Sequence, residues 1–117
     1  MQRMFRICLS VVLMLASGCG GYTASYRQIA VPRILTNRNA AQVEMFLDAT
    51  PTRPCQNVSV ITAIPGGDGV RDTGAAINLL GQTAANMHLD GVHTIRCAAP
   101  GAVGWGVCEG IGYVYTQ

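Results

Sequence analysis

Lysine is missing from all 117 residues, and charged residues of every kind make up only 12% of the chain. The eight basic residues are arginines dispersed at positions 3, 6, 27, 33, 38, 53, 71 and 96. With no basic patch, neither nucleic acid nor an anionic surface held by charge is implied. The glycine cluster at residues 65–69 has neither GxGxxG nor GxxxxGK[ST] spacing, and no lysine stands by to meet a phosphate. It reads as a strand-to-helix loop. CxxC and HxxxH spacings are absent too, so His88, His93, Cys55, Cys97 and Cys108 form no recognisable metal or thiol–imidazole set. Asp68 with Asp72, and Glu44 with Asp48, read as loop, cap and surface charges. The expectation is a protein without catalytic residues, metal or cofactor. No apolar run reaches the roughly 20 residues needed to cross a bilayer as a helix.

What is present begins at the first residue. Arg3 and Arg6 precede a run at residues 7–16 that is apolar apart from Ser10, and Ala16, Ser17 and Gly18 then lead into Cys19. A basic start, an apolar core of about ten residues and a small-residue exit make a secretory signal peptide. The Ala16-Ser17-Gly18-Cys19 segment resembles the bacterial lipobox, with Leu15 one place further from the cysteine than the usual leucine. By that resemblance residues 1–18 are removed and Cys19 becomes the acylated first residue, because only a thiol takes the lipid as a thioether. Buried acyl chain contributes about 0.8 kcal/mol per CH2, and several chains together anchor durably where one does not. By resemblance to enterobacterial sorting rules, in which aspartate after the cysteine favours retention at the inner membrane, Gly20 implies the outer membrane. Two of the eight arginines leave with the signal, so the mature chain balances six basic against six acidic residues.

Residues 19–41 are rich in Gly, Thr, Ser, Asn and Arg, with Pro32 in the middle, and read as an acylated N-terminus and flexible tether. A short extended segment at residues 29–35 is expected to lie on the domain edge. Residues 42–117 then form one small domain. Residues 43–47 (VEMFL) suggest a first strand, with Val43, Met45 and Leu47 on one side. Residues 58–64 (VSVITAI) are the clearest strand, apolar on both faces and therefore central. Asp72 or Thr73 caps a helix running to about Leu89, with Ile77, Leu80, Ala84 and Met87 on one face and Asp90-Gly91 as its stop. Gly81, costing about 1 kcal/mol relative to alanine, suggests a close approach to a strand. Residues 92–97 and 110–115 read as two further strands. The predicted architecture is α+β: a sheet of about four strands with one helix packed on it, in the order β-β-α-β-β.

Three cysteines remain after Cys8 leaves with the signal and Cys19 takes lipid, in a compartment that permits disulfides. Cys97 ends one strand and Cys108 starts the next. A bridge between them sets a register in which 95 faces 110 and 93 faces 112, and closes a loop worth about 3 kcal/mol in chain entropy. The alternative, a tight hairpin turning at residues 99–102, carries the two sulfurs apart. Cys55 is the odd thiol, either buried and inert or paired with another chain. Trp105, alone among glycines in the intervening loop, is a candidate contact for a partner protein or else a plug folded back on the core.

VEMF at residues 43–46, Pro54 before VSVI, GVHTIRC at 91–97 and CEG at 108–110 together resemble the globular part of the RcsF stress-sensor lipoproteins and the related YbjQ-like small lipoproteins. The resemblance covers most of the mature chain. It implies the Cys97–Cys108 bridge independently of the spacing. It also implies a non-enzymatic envelope lipoprotein, at the periplasmic or surface face, that binds another envelope protein as a sensor or assembly module. A thiol-redox or metal-handling module and a purely structural lipoprotein are the alternatives.

Overall fold

The computed structural model describes residues 21–32, 35–66 and 71–117. The signal segment, Cys19 and part of the 65–69 glycine cluster therefore lie outside the described residues. The fold is α+β, with one helix laid on a mixed five-stranded sheet. The strands are β1 (Tyr22–Gln28), β2 (Glu44–Leu47), β3 (Cys55–Pro65), β4 (Gly91–Cys97) and β5 (Cys108–Tyr115), and the helix is α1 (Thr73–Asn86). Their order across the sheet is β1-β3-β5-β4-β2. All neighbours run antiparallel except β2 and β4, which are parallel.

The strand not expected from the sequence is β1. Seven residues assigned to the tether pair with β3 from Tyr22 opposite Pro65 to Gln28 opposite Ser59. Its composition misled because an edge strand has a solvated side: Ser25, Tyr26, Arg27 and Gln28 are exposed, while Tyr22 is buried. The described fold therefore begins inside the stretch read as a tether. The later part of the same stretch is also tied down. Thr36 donates its backbone N–H to the His88 carbonyl, and Asn39 and Gln42 make reciprocal capping bonds around a 3-10 turn at Ala40–Gln42.

The core lies between α1 and the sheet. Ile61, Ala63, Leu89, Val92, Ile95 and Val114 meet Ala76, Leu80 and Ala84 of the helix. Asp72 caps α1 by accepting from the N–H groups of Gly74 and Ala75. The helix stops at Asn86, short of the expected Leu89. His88 takes the left-handed conformation at φ 60°, its N–H bonds to Ala85, and that of Leu89 bonds to Ala84. That is the Schellman pattern with histidine in the place usually held by glycine. Of Asp90-Gly91, read as the stop, Gly91 is instead the first residue of β4 and Asp90 directly precedes it. Gly81 faces Met45 of β2, whose sulfur lies 3.5 Å from where a Cβ would stand.

β4 and β5 keep the expected register only at one end. Cys97 faces Cys108 and Arg96 faces Glu109, but His93 faces Ile111 and Val92 faces Gly112. One extra residue in β4 produces the slip, and Thr94 carries the positive φ of 53° that it requires. The bulge was invisible in the sequence because threonine gives no glycine-like signal.

Candidate functional site

Two ends of the sheet gather the residues of interest. At one end, Cys97 and Cys108 are joined by a disulfide with S–S 2.02 Å, which closes the loop of residues 98–107. The loop folds on its own backbone. Ala98 N–H donates to Val107, Ala102 to Ala99, Trp105 to Ala102 and Val107 to Gly104. Gly101, Gly104 and Gly106 take positive φ angles of 85°, 77° and 87°, which makes successive tight turns possible without Cβ strain. Trp105 is half-buried, neither fully exposed nor a core plug, and Val103 is fully exposed.

Tyr22 binds this loop to the N-terminal strand. Its hydroxyl donates to the Gly106 carbonyl at 2.9 Å and accepts from the Asp72 N–H at 2.8 Å. One buried phenol thus ties together the start of β1, the helix cap and the disulfide-closed loop. Arg71 completes the arrangement by donating to the Trp105 carbonyl.

At the other end lies a polar and aromatic network that sequence reasoning missed. The Tyr113 ring crosses Gly91 of the neighbouring strand to reach Glu44 on the strand beyond, donating to Oε1 at 3.0 Å. A Cβ on Gly91 would stand 2.5 Å from the Tyr113 hydroxyl and from the Glu44 carbonyl, so only glycine fits beneath the ring. Tyr115 also donates to Glu44, and its ring carries the Arg53 guanidinium at 3.8 Å. Burial, reinforced by the hydrogen bonds to Tyr115 and Glu44 and by the nearby carboxylate, pushes the Tyr113 phenol far above its ordinary range. Asp90, only 4% exposed, accepts from Arg38 Nε at 3.0 Å and from the Tyr115 N–H at 2.7 Å. The signal for this cluster was tertiary: Glu44 and Tyr113 are 69 residues apart.

The two histidines separate. His88 is exposed at the helix end. His93 is buried on the sheet, its Nε2–H donating to Asn57 Oδ1 at 2.7 Å while Nδ1 meets the Thr94 hydroxyl at 2.7 Å. Desolvation lowers its pKa, which favours the neutral imidazole. Cys55 lies opposite Tyr115, at the far end of β3 from the disulfide, and burial raises its thiol pKa, the reverse of what a reactive thiolate needs. Among the described residues no three His, Cys, Asp or Glu side chains gather as metal ligands, and no helix is long and apolar enough to cross a membrane. A groove of about 220 Å³ lies between α1 and the 3-10 turn, lined by Ala40, Met45, Ile77 and Gly81.

No protein-family model matches the chain, and neither a curated protein nor a solved structure matches it significantly.

Proposed function

We propose that the chain is a lipid-anchored lipoprotein of the bacterial envelope, without enzymatic activity, whose small domain binds another envelope protein as a sensor or assembly module. The reading keeps the resemblance to RcsF/YbjQ-like lipoproteins and favours the outer membrane. The observation that carries it is the run from Arg3 through the apolar segment to Ala16-Ser17-Gly18-Cys19. Two structural features support it. The Cys97–Cys108 disulfide suits an oxidising compartment outside the cytoplasm. The first described element begins at Tyr22, so cleavage before Cys19 would remove no part of any described element.

The side chains of the far-end network are satisfied by one another and so are suited to holding a shape. Tyr113 is buried and its phenol is pushed above its ordinary range, the reverse of what an activated nucleophile needs. Crosslinking in intact membranes across growth and stress conditions, followed by mass spectrometry of the captured complexes, is expected to recover one recurrent envelope protein. Capture of nothing above a Cys19→Ser control would contradict the partner-binding half of the proposal.

A further inference from the structure

We infer that the disulfide-closed loop of residues 98–107 is a second membrane contact, which lies in the headgroup region of the bilayer beside the acylated cysteine. The inference rests on the lipoprotein reading and adds an orientation to it. Its first support is composition. The ten residues AAPGAVGWGV carry no charged, hydroxyl or amide side chain, yet Val103 is 103% exposed. An uncharged loop with a fully exposed branched aliphatic side chain and a tryptophan suits the interface, where indole rings concentrate.

The second support is backbone chemistry. Unpaired N–H and C=O groups are costly away from water. Here the N–H groups of Ala98, Ala102, Trp105 and Val107 bond within the loop, and Pro100 has none to satisfy. The N–H groups of Ala99, Gly101, Val103, Gly104 and Gly106 have no backbone partner among the described residues, so the loop suits the hydrated headgroup layer and not the hydrocarbon core. The disulfide at its base keeps that shape.

The third support is reach. Three residue steps separate Cys19 from Tyr22, so their Cα atoms are at most about 11 Å apart. The Tyr22 hydroxyl is bonded to Gly106 within the loop. An acyl group in the membrane at residue 19 therefore holds this end of the sheet against the bilayer, whose polar interfacial layer is roughly 5–8 Å deep on each side. Ile64, 45% exposed, lies at the same end, opposite Thr23. Arg71, exposed and bonded to the Trp105 carbonyl, sets a guanidinium beside the apolar loop, within the layer that holds lipid phosphates.

Trp105 is the only tryptophan in the chain, so intrinsic fluorescence reports on this loop alone. The processed protein, purified from membranes and checked for acylation by intact mass, is reconstituted into vesicles of phosphatidylethanolamine and phosphatidylglycerol with bromines along the acyl chains. The expected result is a blue-shifted emission quenched severalfold relative to unbrominated vesicles. Val103→Asp should abolish most of that quenching while leaving acylation and thermal unfolding unchanged. Acylated, vesicle-bound protein whose emission is solvent-like and unquenched would overturn the loop contact and leave the anchor standing. Protein with an unmodified Cys19 would overturn both.

Discussion

The two ends of this sheet are held together by opposite means. At the loop end, a covalent bond and backbone turns shape residues 98–107, and the Tyr22 hydroxyl and Arg71 guanidinium tie that loop to the rest of the fold through its carbonyls. At the far end, Glu44, Asp90, Tyr113, Tyr115, Arg38 and Arg53 interlock through their side chains. Under the proposed orientation the uncharged loop meets the headgroup layer and the charged network faces water. The contrast gives the domain a polarity that matches the proposed anchor at residue 19.

The strongest way to break the contrast is to cut the covalent staple. Replacing Cys97 and Cys108 together by alanine should cost about 3 kcal/mol in chain entropy and lower the melting temperature by about 15 °C. A negligible shift on thermal denaturation would mean that the backbone turns alone hold that end. At the other end, Asp90→Ala strands the Tyr115 N–H and the Arg38 guanidinium. It should destabilise by about 2 kcal/mol, a figure that discounts the partial exposure of Arg38, and denaturant unfolding measures it.

His93 offers a pH test of the polar side. Its folded pKa is depressed by burial, so the unfolded chain binds more protons as pH falls below about 6.5. The stability it contributes is present above that pH and is lost as pH drops toward the folded value. Denaturant midpoints measured across this window should fall for the wild type and flatten for His93→Gln. Gly81→Ala works in the opposite direction. The nearest atom to its Cβ would be 3.5 Å away, so the substitution should stabilise the helix by up to about 1 kcal/mol. The smallest effect belongs to Val103→Ser, below about 0.5 kcal/mol because the side chain has no folded-state contacts to lose.

Legibility in the sequence followed the same division. The helix, β3 and the β4–β5 pair were readable because Leu80 and Ala84, the VSVITAI run and the two cysteines each announce themselves within a few residues. β1 was not, since a polar edge strand such as YTASYRQ differs little in composition from a tether, and only Tyr22 is buried. Gly91 was read as a helix stop, although its role is to let Tyr113 cross to Glu44, a relation between three strands. Thr94 gave no hint of the bulge that shifts the register by one. The linear chain also conceals what holds the loop around Trp105, since Arg71 donates to the Trp105 carbonyl and Tyr22 to that of Gly106.

Everything about orientation depends on Cys19. Intact-mass analysis of the membrane fraction under non-reducing conditions tests it directly. The account predicts a chain starting at residue 19 that carries acyl groups, is two hydrogens lighter than its fully reduced form and has one free thiol, while Cys19→Ser remains unprocessed and leaves the fraction without acylated product. A full-length or unacylated chain in wild-type membranes would contradict it.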